Sequence, residues 1–100
     1  MILVDGDACP VKDEIYTIAY RHNMPVRLFA AGYLRHPDHP LITMTMAGDA
    51  FDAADDLIAA TAAPGMVVIT ADIPLADRAI KAGAQVLTPR GEALTAANIG

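Results

Sequence analysis

The chain has 100 residues, 54% of them hydrophobic, and sets seven Lys and Arg against twelve Asp and Glu for a formal net charge of -5. That length suits one domain with a modest core, the apolar content argues against a disordered chain, and the acidic balance argues against an extended DNA-binding surface, which needs clustered Lys and Arg. The single cysteine, Cys9, excludes an intrachain disulfide and a four-cysteine zinc site, and no apolar run reaches membrane-spanning length.

Residues 2–4 form a short apolar run that ends in Asp5-Gly6-Asp7, the pattern of a strand buried on both faces and followed by a polar turn. A chain that begins directly on such a strand lacks the basic start and apolar stretch of a signal peptide, so the expected location is cytoplasmic. Pro10 suits the first turn of a helix, along which Val11, Ile15, Ile18, Ala19 and His22 recur at helical spacing. Asn23, which tolerates the left-handed conformation, ends it.

Residues 26–31 read as a second strand. Residues 32–40 read as a loop, and residues 41–46, which alternate apolar side chains with threonine, as a third and more exposed strand. Residues 51–62 read as a helix with Phe51, Ala54, Ile58 and Ala62 inward and Asp52, Asp55 and Asp56 away from that stripe. Residues 66–70 make the clearest strand. Ala71-Asp72 then leads through Ile73-Pro74 into a helix that faces Leu75, Ala76, Ala79 and Ile80 inward and stops at Gly83. Residues 85–87 form a last short strand, and residues 93–100 read as the start of a further helix. Helices set between apolar strands predict an α/β fold, a three-layer αβα sandwich around a central, mainly parallel sheet.

Sites in such sheets form beyond the carboxyl ends of the strands. Asp5 ends the first strand, Asp7 follows two residues on, and Asp72 stands just past residues 66–70, so the three converge if those strands are neighbours. Asp52 and Asp55, three apart on a helix, share a face and can join the same edge. Converging carboxylates repel one another, and Mg²⁺ or Mn²⁺, hard cations with a preference for oxygen, compensates that repulsion. On this reading Asp5 and Asp72 are the main metal ligands, with Asp52, Asp55 and Asp7 completing the shell or orienting water. Bound metal then activates water toward a phosphodiester. The blander reading stays open: Asp7, Asp49 and Asp72 precede helix starts, where Asp is a favoured cap, and Asp52, Asp55 and Asp56 suit a solvated helix face.

Other residues carry weaker signals. Cys9 lies near a helix start, which favours the thiolate, although a buried inert thiol fits as well. His36 and His39 flank Pro37 in a loop, His22 suits a helix end, and Arg35 and Arg90 can steady a phosphate from their loops or simply be solvated. Gly6 and Gly48 fit no Walker or dinucleotide-binding pattern. Two other functions stay open: a non-catalytic interaction or regulatory protein, and a small-molecule phosphohydrolase using Asp5-x-Asp7 through an aspartyl phosphate. The second lacks a partner lysine at a strand end, since Lys81 falls within a helix. Nothing in the sequence sets the oligomeric state.

Four segments carry a closer likeness: Val4-Asp5-Gly6-Asp7-Ala8-Cys9-Pro10 followed by Lys12 and Glu14, Phe51-Asp52-Ala53-Ala54-Asp55, Val68-Ile69-Thr70-Ala71-Asp72-Ile73-Pro74-Leu75-Ala76, and Pro89-Arg90-Gly91-Glu92. The chain resembles the YaiI/YqxD family of uncharacterised bacterial proteins along nearly its whole length. That family is similar to PIN-like domains, α/β folds with acidic metal sites and often ribonuclease activity. The resemblance implies that Asp5, Asp52 or Asp55, and Asp72 take the acidic positions, with RNA as the substrate. It also implies that residues 1–100 are a PIN-like domain lacking a basic, C-terminal helical part. Gly6 departs from the family's usual alanine, Ala50 from its glycine and Thr88 from its asparagine, and residues 31–35 lack an asparagine common there.

Overall fold

The computed structural model describes residues 1–8 and 12–99; the expectations for Cys9, Pro10 and Val11 lie outside them. Strand β1 (Ile2–Asp5) runs into a single 3₁₀ turn (Gly6–Ala8), and helix α1 (Lys12–His22) leads to β2 (Val26–Ala30) and β3 (Ile42–Met46). Helix α2 (Ala53–Thr61), β4 (Val67–Ile69), α3 (Ile73–Lys81), β5 (Gln85–Leu87) and β6 (Ala93–Leu94) complete the order. The strands form one sheet in the order β3-β2-β1-β4-β5-β6, parallel throughout except for β6, which runs antiparallel to β5.

Alternation along β1 divides the core. Ile2 and Val4 pack with Ile15, Tyr16 and Ala19 of α1. Leu3 packs on the other face with Phe29, with Ile58 of α2, and with Leu75, Ala76 and Ala79 of α3. The sheet therefore lies between one helix and two, which is the three-layer α/β arrangement expected from strands that are apolar on both faces.

Three local expectations differ from the structure. In α1 the inward residue is Tyr16, at 6% exposure, whereas Ile18 is 49% exposed and His22 is exposed. The helix covers the β1–β2 side of its face, which turns Ile18 toward Ile69 and Leu87, beside α1 rather than beneath it. Helix α2 starts at Ala53, because Asp52 takes a left-handed backbone (φ 59), and this leaves Phe51 outside the helix and 92% exposed. Residues 93–94 form β6 and not the start of a helix. Thr88 to Glu92 reverse the chain, with Gly91 at φ 91 and the Thr88 N–H donating to the Glu92 carbonyl at 2.8 Å, so Leu94 is laid against Val86.

Asn23 holds the expected left-handed conformation, φ 51, at the end of α1. Gly6 is required by a close approach: a Cβ there would stand 2.6 Å from Leu34 Cδ1 and 3.0 Å from the Phe29 carbonyl oxygen. No described helix is long and apolar enough to cross a membrane.

Candidate functional site

Strand β1 is paired with β2 on one side and β4 on the other, so the chain leaves the sheet in opposite directions around it. A crevice opens at the carboxyl ends of strands at such a switch point. Asp5, the last residue of β1, lies there at 6% exposure. Two residues on from Leu3, its side chain takes the α2/α3 face.

Thr70, one residue past β4 and 1% exposed, donates from Oγ1 to Asp5 Oδ2 at 3.0 Å and accepts the Asp72 N–H at 3.0 Å. Asp72 is the N-cap of α3, its Oδ1 accepting the Leu75 N–H at 3.0 Å. The cap expectation for Asp72 thus holds, and it engages one of the two carboxylate oxygens. Asp7 Oδ2 accepts the Ala31 N–H at 3.0 Å, which ties the 3₁₀ turn to the chain leaving β2. Asp52 occupies the N-cap position of α2, the place expected for Asp49, yet its side chain makes no cap bond.

Asp5, Asp7, Asp49, Asp52 and Asp55 line a hollow of about 210 Å³ together with small residues such as Ala31, Gly48 and Ala53, and none of the described residues in its wall is basic. The crowding is visible in the acidities. Burial raises the Asp5 carboxyl above its ordinary value; the Thr70 hydroxyl opposes this, and Asp7 and Asp72 reinforce it. Asp55 is pushed up to about 6, first by burial, then by Asp72, Asp5 and Asp52, with Arg78 in partial opposition. The structure thus brings Asp5, Asp7, Asp52 and Asp55 to one hollow and Asp72 into their electrostatic neighbourhood. Among the described residues, however, no three His, Cys, Asp or Glu side chains stand close enough together to hold a metal ion.

The loop cations lie elsewhere. Arg35 and Arg90 are exposed and neither lines the hollow; Arg90 borders a groove on the α1 face with Glu14 and Ile18. His36 and His39 are also outside it, His36 Nδ1 lying 3.1 Å from the Pro37 carbonyl and His39 Nδ1 accepting the Leu41 N–H at 3.0 Å. Sequence reasoning missed two residues: Thr70, and Arg78, which pairs with Asp56 at 2.8 Å and bears on Asp55. A threonine closing an apolar strand next to a neighbour that ends in Asp was the available signal for the first. Arg78, on the outer side of a helix, gave none.

The family model described as uncharacterised, "YaiI/YqxD family", matches residues 3–100. A "UPF0178 protein" of Jannaschia sp. (strain CCS1) is 70% identical over 100 residues, covering 100% of this chain and 64% of that protein. Proteins of the same name from Rhodopseudomonas palustris (strain TIE-1) and Sphingopyxis alaskensis are each 57% identical, over 99% and 100% of this chain and 63% and 65% of their own lengths. The chain therefore spans less than two thirds of these curated relatives. No solved structure matches it.

Proposed function

The chain belongs to the YaiI/YqxD family, and from that premise and the geometry of the hollow we propose that it acts on phosphodiesters, RNA first among them, with a divalent cation, Mg²⁺ or Mn²⁺, held at the strand ends as in PIN-like nucleases. The observation that carries this reading is the charge crowding at the switch point: a buried Asp5 and an Asp55 raised to about 6 by burial and by its carboxylate neighbours. Carboxylates are driven toward protonation by such neighbours, and a cation relieves them.

The donor set is all carboxylate oxygen, which suits a hard cation. Asp5 is the anchor, because Thr70 fixes its orientation through Oδ2. Asp55 and Asp52, on and beside the first turn of α2, supply the facing oxygens, and Asp72 keeps Oδ2 outside its capping bond. With no three carboxylates among the described residues within ligand reach of one another, binding requires these side chains to close on the ion. When bound, the cation supplies a nucleophilic water and neutralises charge on the phosphoryl group. Arg35 and Arg90 stand outside the hollow, so any phosphate they steady belongs to a flanking part of the substrate.

A non-catalytic interaction protein is the second reading, favoured by the role of Asp72 as a helix cap. The phosphohydrolase alternative is weakened by Lys81, which pairs with Asp77 at 2.8 Å on the exposed side of α3.

The test is isothermal calorimetry with Mn²⁺ on chelator-treated chain and on Asp5→Ala, followed by incubation of metal-loaded chain with RNA. Saturable binding that disappears in the variant, with RNA cleavage, is the expected result. A folded chain that binds no Mn²⁺ overturns the reading. Binding unchanged by Asp5→Ala overturns the Asp5 anchor and moves the ion to His36, His39 or diffuse surface acidity.

A further inference from the structure

Helices α2 and α3 pack through Ile58 against Leu75, Ala76 and Ala79, and a polar tie also joins them beside the acidic hollow. Arg78, in the last turn of α3, donates from Nη1 to Asp56 Oδ1 at 2.8 Å, across 22 positions of the chain. Asp56 stands in the first turn of α2 next to Asp55, which lines the hollow, while neither Asp56 nor Arg78 does. The guanidinium therefore lies at the margin of the carboxylates. Its charge reaches them: among the described residues, Arg78 is the one cation that opposes the rise of Asp55.

Stability does not account for this pair. Side chains exposed at 47% and 62% make a screened ion pair that contributes little to the fold. Lys81 and Asp77 make another, but within one helix, at i and i+4. The Arg78 pair is made between two helices, which gives the guanidinium a fixed direction. A guanidinium presents a planar fork of N–H donors that matches the oxygens of a phosphate. Among the described residues only Nη1 is engaged, by a single oxygen, so the other donors are left for a second anion. Arg35 and Arg90 neither line the hollow nor bear on Asp55.

Resting on the reading of the hollow as a phosphodiester site, we propose that Arg78, aimed by Asp56, holds the substrate phosphate next to the one set over the carboxylates. Asp56 keeps its oxygen on Nη1 while the phosphate accepts from the remaining donors, so the ion pair need not break. The substrate is then a chain of at least two linked phosphates, and a lone phosphomonoester fills only one of the two places. Arg78 thus gives an acidic chain one built contact for a polyanion, without the clustered Lys and Arg of an extended binding surface.

The probe is a fluorescein-labelled oligoribonucleotide, titrated with the full chain in Ca²⁺ at several salt concentrations and read by anisotropy. Saturable binding is expected, weakened about ten-fold or more by Arg78→Ala, with the slope of log affinity against log salt reduced by about one. Arg78→Lys should recover the slope and part of the affinity, since it keeps the charge and loses the fork. Asp56→Asn breaks the same ion pair but leaves the cation, so it should not weaken binding. No binding by the natural chain, an unchanged affinity and slope in Arg78→Ala, or equal losses in Arg78→Ala and Asp56→Asn overturns the proposal. Mn²⁺ calorimetry on the same preparations reads the carboxylates separately, and Arg78→Ala should bind Mn²⁺ no more weakly than the natural chain. Manganese bound with oligonucleotide affinity indifferent to Arg78 overturns the phosphate contact alone. Oligonucleotide binding that depends on Arg78 without manganese binding overturns the phosphodiester-site reading and leaves the contact standing.

Discussion

Thr70 and Asp5, 65 positions apart in the chain, meet through a 3.0 Å hydrogen bond in which Oγ1 donates to Oδ2 and ties the end of β4 to the end of β1. The same hydroxyl accepts the Asp72 N–H, so one buried side chain serves a carboxylate and a helix start. Thr70→Val keeps the shape and removes both interactions. It should cost about 1–3 kcal/mol in urea unfolding, the range for leaving buried polar groups unsatisfied. Thr70→Ser should recover most of that loss.

Asp55 makes an unusual prediction for acid behaviour. Its carboxyl stands at about 6 in the fold against an ordinary 3.8. Between those values the folded chain binds more protons than the unfolded one, so stability falls as pH rises. The contribution of Asp55 is therefore fully present below about pH 4 and lost as pH passes through about 6. Asp55→Asn should match the natural chain near pH 4 and exceed its stability at pH 7. The gain should be about 1–2 kcal/mol, allowing for solvent screening of a partly exposed group. Denaturant titrations at the two pH values check this.

Asp72 combines a cap with a charge, and two substitutions separate them. Asp72→Ala removes the acceptor for the Leu75 N–H and should destabilise the chain by about 1 kcal/mol. Asp72→Ser keeps a capping oxygen and should restore stability. Both remove the charge that raises Asp5 and Asp55, so both should weaken Mn²⁺ binding in calorimetry. Full Mn²⁺ affinity in Asp72→Ser would confine this residue to capping.

Gly6→Ala should destabilise by about 1–2 kcal/mol, a typical overpacking loss. The added Cβ meets Leu34 Cδ1 at 2.6 Å and the Phe29 carbonyl at 3.0 Å. Leu34→Ala in the same chain should relieve only the first contact, so the pair of substitutions should be less damaging than the sum of the two made singly. Thermal unfolding of the three variants checks this.

The placement of Asp5 was legible because an apolar run with no polar face marks a central parallel strand, and its last residue then lies at a crevice. Thr70 was legible only as the residue that closes an apolar strand. A threonine at a strand end reads as a β-branched strand former, and its hydroxyl gains meaning only once Val4 is in register with Ile69. Periodicity found the inward side of α1 but exchanged Ile18 for Tyr16, because spacing does not reveal where along the sheet a helix lies. Phe51 continued the helical spacing of Ala54 and Ile58, and the turn at Asp52 broke it. Residues 93–100 are weakly patterned and read as a helix start, whereas the reversal at residues 88–92 lays residues 93–94 against β5.

The central place of β1 also sets an order of events in time. Its pairing with β2 joins segments 24 positions apart (Ile2 with Val26), whereas its pairing with β4 waits for Val67. As the ribosome delivers the chain, β1, α1, β2 and β3 can begin to associate while Asp5 and Asp55 remain hydrated and far from Asp72. The repulsion that Asp72 exerts on Asp5 and Asp55 is thus absent from the early nucleus and arrives with the docking of β4. Weakening it should slow unfolding more than it speeds folding.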